Sequence, residues 1–441
     1  MRHRHHLSQK NGASALMKTR SLSNLNEDFS RRDFMCCGAL LFAGLLGAPG
    51  TASALNFKEG LSNPCEGERA WTSAERDLID AAFAGINASN FIDIHSHLLG
   101  TGDSGSGCHV HESLYSIWQP IEFLRRKQIL SGACVKEPAG DIDRQYVTQL
   151  TRMMNDFPAG AKAALLAFDH AHDDRGAKDL DKSTFHVPNA YAKSVAQTRA
   201  PRFEWIASVH PYRNDAVAAI AKARADGAVA VKWLPSAMNI DWRDARLVRV
   251  YDYLAQTQMP LIAHFGAEKA VKGAHRDEFL NPLHARVPLE HGVRLIVAHA
   301  ASMGNAPDLE SMSKRSTPCF DLFARLMNDR AYERHLLADT SAVFFCNRDA
   351  SVWQQMLRNT HWHSRLLHGT DHPLPGVWPL YDVEALVDAN VLNADAAPTL
   401  RRIRRKNPLL FDFVLKRSVR FGGSTLSASV FEARRHIAQT G

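Results

Sequence analysis

Two histidines one residue apart, His95 and His97, close the apolar run Phe91-Ile92-Asp93-Ile94. On a strand, residues two apart share a face, so both imidazoles can grip one ion. Alone, the pair is also readable as two ordinary polar residues at a strand end. Other polar residues end later apolar runs: Lys232 in Ala228 to Leu234, His264 after Pro-Leu-Ile-Ala, His299 after Leu-Ile-Val-Ala, and Asp371 after Leu366 to Thr370. Successive separations from Lys232 to Asp371 are 32, 35 and 72 residues. A strand with its return helix takes roughly 30 residues or more, so the first two gaps fit one βα unit each and the last fits two. Neutral imidazoles with a carboxylate suit a divalent ion, Zn²⁺ first among them, with a position left for water. Such an ion lowers the pKa of bound water to about 7. Asp371 then serves as ligand and as acceptor of the proton released during attack, returning it to the leaving group. His299 either ligates a second ion or polarises a carbonyl. Asp93 shares the face of the pair and reads either as a hydrogen-bonding support beneath the metal or as an ordinary strand-start residue.

These residues need a frame that brings distant strand ends together. Eight short apolar runs recur: Phe91 to Ile94, Ala163 to Phe168, Trp205 to Val209, Ala228 to Leu234, Pro260 to Ala263, Arg294 to Ala298, Leu336 to Val343 and Arg365 to Leu367. Helix-like stretches such as Asp215 to Ala225 and Arg246 to Thr257 lie between them. Buried strands alternating with helices predict an α/β chain forming a distorted (β/α)8 TIM barrel, whose C-terminal strand ends share one mouth. Ile129 to Val135 is a ninth candidate that competes for second place. The expected organisation is an N-terminal extension and helix over 55–90, the catalytic barrel over 91–417 and a tail over 418–441. The capping-box pattern from Thr72 to Glu75 opens the first helix. Gly100 to Gly107 reads as a flexible loop near the site.

Other His-x-His sequences compete with the first. His170 and His172 follow a strand-like run, but making that run the first strand orphans Phe91 to Ile94 and leaves seven strands. His109 and His111 have no strand to fix them, and both pairs read better as pocket or lid residues. His361 and His363 precede the last strand, on the wrong side for the mouth. The basic run from Arg401 to Lys406 reads as a solvated face, with an acidic or membrane-surface partner as the alternative.

The whole chain carries a formal charge of +7, but residues 1–54 hold seven Lys/Arg against three acids, leaving about +3 on the remainder. That is too little to argue for nucleic acid, and no phosphate loop of the Walker type is present. Ser30-Arg31-Arg32-Asp33-Phe34-Met35, an apolar run to Pro49 and Ala52-Ser53-Ala54 resemble a twin-arginine signal with its cleavage site. The run is short for a membrane span, so cleavage is expected with no stable membrane insertion afterwards. The expected partners are therefore the export machinery and a small-molecule substrate, the expected location periplasmic or exported; a homo-oligomer is compatible. Five cysteines follow the signal without a CxxC pair, leaving room for one disulfide after export.

The ordered set of His-x-His, Lys, His, His and Asp resembles the amidohydrolase superfamily. Phe185-His186-Val187-Pro188-Asn189-Ala190-Tyr191, Ser208 to Arg213, Val231-Lys232-Trp233-Leu234-Pro235, Gly369-Thr370-Asp371-His372-Pro373 and Asn407-Pro408-Leu409-Leu410-Phe411 resemble its amidohydrolase-related branch. The resemblance implies one or two divalent ions held by His95, His97, Lys232, His264, His299 and Asp371, with Asp371 and His299 catalytic. It implies that Lys232 bridges two ions as a carbamate; a substrate-carboxylate anchor and a lysine paired with an acid are the competing readings. The expected activity is hydrolysis of an ester, lactone or amide. Non-oxidative decarboxylation and metal or ligand binding without catalysis are the rivals.

Overall fold

The computed structural model describes residues 60–137 and 140–437; the twin-arginine segment and its cleavage site lie outside the described residues. Eight parallel strands form one sheet: β1 (Ile92–His97), β2 (Lys162–Leu166), β3 (Phe203–Ala207), β4 (Ala228–Trp233), β5 (Leu261–His264), β6 (Leu295–Ala298), β7 (Leu336–Asp339) and β8 (Leu366–Leu367). They pair in chain order. The sheet closes on itself where Ile94 N donates to His368 O (3.0 Å) and Asp371 N to His95 O (2.7 Å). This is the expected (β/α)8 barrel. Its strands are almost wholly buried on both faces, which explains why they read as unbroken aliphatic runs.

Ile94, Leu166, Ile206, Ile262, Ile296 and Leu337, drawn from six strands, meet in the barrel interior. Ala433 and Ile437 join that cluster, so the C-terminal segment plugs the barrel floor. Near the opposite end the β1–β2 register shifts between Asp93 and Ser96. Such an irregularity re-aims side chains: Ile94 stays in the interior cluster while His95, its neighbour, faces the mouth.

Three expectations are corrected. Ile129 to Val135 is not a strand: helix α2 (Pro120–Gly132) runs into it, with Pro120 in its first turn and Leu130 buried. Gly100 to Gly107 is an ordered wrap. Thr101 N, Gly102 N and the hydroxyls of Ser104 and Ser106 all donate to buried Asp143 at the start of α3 (Ile142–Asn155). The basic run is not a solvated face either. It forms α4 (Ala397–Lys406), where Arg404 is 1% exposed and lies against Trp378, Tyr381 and Phe411. Lys406 reaches Glu75 on α1 (Ser73–Phe83) at 2.5 Å. Acids beside Arg401, Arg402, Arg405 and Lys406, and main-chain carbonyls beside Arg404, turned an apparently exposed run into a seam. No helix among the described residues is long and apolar enough to cross a membrane.

Candidate metal centre

All six residues singled out in the sequence meet at the mouth. Asp371 sits between imidazoles: its Oδ1 is 3.1 Å from His97 Nε2 and 3.6 Å from His95 Nε2, and its Oδ2 is 3.9 Å from His299 Nε2. Lys232 Nζ lies 3.3 Å from His95 Nε2. The ring of His264 is 5.1 Å from that of His299.

What orients these rings lies one layer behind them. His95 donates from Nδ1 to Asp339 Oδ2 at 2.8 Å. His299 Nδ1 is 2.7 Å from Ser341 Oγ, whose hydroxyl in turn donates to Asp339 Oδ1. His264 Nδ1 faces Glu268 Oε2 at 3.4 Å. His95, His299 and His264 are therefore held at Nδ1 from outside, which fixes the tautomer and turns Nε2 toward the common centre. Nε2 of His264 is buried with no hydrogen-bond partner. A cation would satisfy that orphan nitrogen, and the ligand atoms of His95, His97 and Asp371 all lie within 4.8 Å of one another. The donor set fits a divalent metal.

Charge agrees with geometry. Burial lowers the pKa of His95, an effect Lys232 reinforces, and burial drives His299 well below the usual imidazole range. Burial thus favours in both rings the neutral form that a metal ligand needs. Burial opposes the charge of Asp371, but His299, His97 and His95 outweigh it and hold its pKa well below the ordinary carboxylate range. Lys232 is also depressed by burial, and no carboxylate among the described residues lies within 4.0 Å of its amine.

The backbone is strained here. His299 (φ 55°) and Asp371 (φ 60°) both adopt the left-handed conformation that side chains with a Cβ seldom take. Asp339 Oδ1 accepting from His299 N (3.0 Å) and the bond from Asp371 N to His95 O compensate. Such strain concentrates at functional positions. Gly369 permits the close approach of β8 to β1, since a Cβ there would fall 2.8 Å from Cβ of His95. Asp93 accepts from Thr370 N (3.0 Å), Thr370 Oγ1 (2.6 Å) and His95 N (3.0 Å), tying the Asp371 turn to β1.

Residues 92–411 match the sequence profile of the amidohydrolase family. The chain belongs to that family. No curated protein is similar enough in sequence to match it. Among solved structures, this amidohydrolase is similar to an uncharacterised TIM-barrel protein of Bordetella bronchiseptica, at 16% identity and a TM-score of 0.43 over 70% of this chain and 94% of that one. It is also similar to a probable 2-pyrone-4,6-dicarboxylic acid hydrolase of Acinetobacter baumannii, at 13%, 0.40, 73% and 95%. For a 5-carboxyvanillate decarboxylase of Novosphingobium aromaticivorans, bound to manganese, the values are 13%, 0.39, 72% and 94%. Likeness of this degree says nothing about substrate or reaction.

A cavity of about 220 Å³ opens over the centre. Its walls are largely apolar, with Leu99, Phe168, Phe185, Val271, Phe345 and Leu380 among them. Neither His170 and His172 nor His109 and His111 line it. His170 stacks on His186 (3.9 Å between rings), His172 packs at a tilt against His210 (4.1 Å), and His111 caps the turn at Glu112. His363 bonds Met356 O, away from the mouth as expected. Sequence reading missed Asp339, Ser341 and Glu268. Asp339 could have been found: it ends Leu-Leu-Ala-Asp as His264 ends its own strand, but the apolar residues Ala342 and Val343 extended the expected strand past it.

Proposed function

We propose that this amidohydrolase is a metal-dependent hydrolase of an ester, lactone or amide bond in a small molecule. The observation that carries the proposal is an ionised Asp371 beside His97, His95 and His299, the last two held at Nδ1 from behind. We assign His95, His97, Lys232, His264, His299 and Asp371 to one or two divalent ions, Zn²⁺ being the first to test. A bound ion supplies Lewis acidity, polarising a carbonyl and acidifying water. Asp371 accepts the proton from the attacking water on a carboxylate oxygen and delivers it to the leaving group. His299, with Nδ1 tied to Ser341, presents the lone pair of Nε2 to a second ion, and polarises the carbonyl oxygen instead when Nε2 carries a proton. The apolar walls exclude bulk water and strengthen each of these interactions.

Lys232 has a burial-depressed pKa, and no carboxylate among the described residues lies within 4.0 Å of its amine. This favours the carbamate reading over a lysine paired with an acid, because carbamate formation needs the neutral amine. Intact-mass measurement under non-denaturing conditions should show one added CO₂; an unmodified chain carrying a single ion removes the bridging role.

The test of activity is a panel of esters, lactones and amides assayed after chelation and after reloading with Zn²⁺ or Mn²⁺. Turnover should vanish on chelation, return on reloading and fall at least about a thousandfold in Asp371→Asn. The water-poor walls also suit loss of CO₂ from a carboxylated ring. Release of CO₂ without incorporation of labelled water would replace the hydrolase reading with that one. Metal binding with no turnover, and no functional effect of Asp371→Asn, would leave a binding protein.

Export is inferred from the twin-arginine pattern and supported by the disulfide Cys65–Cys134, since such bonds persist in oxidising compartments. Replacing Arg31 and Arg32 by lysine should retain the protein in the cytoplasm.

A further inference from the structure

Of the large apolar side chains exposed among the described residues, four fall within residues 115–121: Tyr115 (44% exposed), Ile117 (66%), Trp118 (88%) and Ile121 (38%). The stretch is an ordered turn. Trp118 N donates to Ser116 Oγ (3.3 Å), Gln119 N donates to Ser116 O (3.0 Å), and Pro120 opens α2 directly behind it. Arg126 lies over the ring of Tyr115 (4.3 Å) and donates from Nε to Leu114 O (3.0 Å). Ile117 and Trp118 are therefore held out in water although an apolar cavity lies close by. Leu114, before the stretch, and Arg125 and Ile129, after it, line that cavity. Arg125 Nη2 donates to Lys269 O (3.0 Å), which joins the stretch to the loop after β5, also part of the cavity wall. The four side chains thus form a lip of the mouth.

Taking roughly 200 Å² for each side chain in full exposure, the four leave about 500 Å² of mostly apolar surface in water. A contiguous patch of that size marks a contact surface. It falls short of the roughly 800 Å² per partner that a stable protein interface buries. Its chemistry fits lipid better. Tyr and Trp settle at a membrane–water boundary, ring in the apolar layer and polar tip among the headgroups. Cations border them. Lys269 and Lys272 are exposed with no carboxylate among the described residues within 4.0 Å, and Arg126 and Lys127 share the single acid Glu137. Glu112 is the one exposed acid in residues 112–127. We propose that Tyr115, Ile117, Trp118 and Ile121 dock this protein on the surface of an anionic lipid bilayer, with the cavity mouth turned toward the lipid. Ile117 and Trp118 enter the boundary between headgroups and acyl chains, and Lys269 and Lys272 meet lipid phosphates. The inference goes beyond the proposed hydrolysis and is independent of it.

Flotation of the full-length protein with vesicles of phosphatidylcholine and phosphatidylglycerol in equal parts tests the proposal. The protein should rise with the vesicles, and Ile117→Ser combined with Trp118→Ser should weaken binding at least about tenfold. Lys269→Gln combined with Lys272→Gln should weaken binding to the mixed vesicles about tenfold and change little on phosphatidylcholine alone. Trp118→Phe should still bind, but should lose most of the fluorescence quenching that brominated lipid causes in the wild type. The apolar run before Pro49 is common to all these proteins, so a difference between them belongs to the patch. Thermal unfolding reports whether each variant folds; if the serine pair does not, the quenching difference in Trp118→Phe decides. A wild type that stays below the vesicles, or equal binding by the wild type and a folded serine variant, overturns the proposal. So does light scattering that shows a dimer made monomeric by the serine pair without vesicle binding, since a second copy then covers the patch. Because no turnover is measured, failure here leaves the hydrolase reading standing, and failure of the hydrolase assay leaves this one standing.

Discussion

Asp339 holds two histidines of the candidate centre at once: Oδ2 accepts from Nδ1 of His95 at 2.8 Å, and Oδ1 accepts from the main-chain N–H of His299 at 3.0 Å. The carboxylate is fully buried. Burial opposes its charge, but His95 and His299 prevail and keep its pKa far below the usual value. One side chain that does not face Asp371 thus fixes the tautomer of one ring and the strained backbone of another.

Asp339→Asn should therefore weaken metal binding by roughly 10- to 100-fold, as loss of a carboxylate behind a ligating imidazole does. Competition with a chromophoric chelator measures this directly. An unchanged affinity would mean that His95 is held by its packing alone.

A second support lies beneath the Asp371 turn. Lys416 Nζ, fully buried, donates to Gly369 O at 2.7 Å and to Asp412 Oδ2 at 2.5 Å, and Tyr381 donates to the other oxygen of Asp412. Lys416→Met leaves Asp412 buried and unpaired, and should cost about 3–5 kcal/mol in denaturant unfolding. Lys416→Met with Asp412→Leu should recover part of that loss, because the orphan charge is removed as well. Equal destabilisation in the single and double variants would mean that packing, not charge pairing, dominates.

The legible part of this molecule was the part governed by periodicity. Strands buried on both faces give unbroken aliphatic runs, and a polar residue ending each run is conspicuous, so His95, His264 and His299 stand out. Supports are harder to read. Asp339 is a single acid inside a longer apolar stretch, and Glu268 is one charged residue in a loop; nothing local distinguishes either from a solvated side chain. The basic run failed because its partners, Glu66, Glu75 and Glu384, come from elsewhere in the chain.

That seam gives a direct contrast. Arg404 donates from Nε to Pro375 O and from Nη2 to Val377 O, both at 3.0 Å, beneath three aromatic rings. Arg404→Met strands the Pro375 carbonyl, takes from Val377 O one of its two donors, leaving Leu380 N, and should cost about 2–4 kcal/mol. Arg402, with a half-exposed side chain beside Glu75, should lose less than about 1 kcal/mol on replacement by alanine. Urea unfolding of the two variants measures the difference; similar losses would restore the solvated-face reading.

Acid stability offers a test away from the metal centre. Burial lowers the pKa of His210 to about 3, an effect the neighbouring His172 reinforces. Its Nε2 donates to Met238 O at 2.7 Å, and its Nδ1 accepts from Tyr212 N at 3.2 Å, so the neutral ring uses both nitrogens and a second proton has no place. In the unfolded chain the same imidazole binds a proton below about 6.5. Between those values the unfolded state holds more protons, so stability falls as pH falls. His210→Gln cannot take up that proton. Its midpoint of thermal unfolding should lie below that of the wild type at pH 7, because a buried hydrogen bond is lost, but should decline less steeply from pH 6.5 to pH 4. Parallel declines would show that other buried histidines, or the carboxylates, carry the whole of the acid sensitivity.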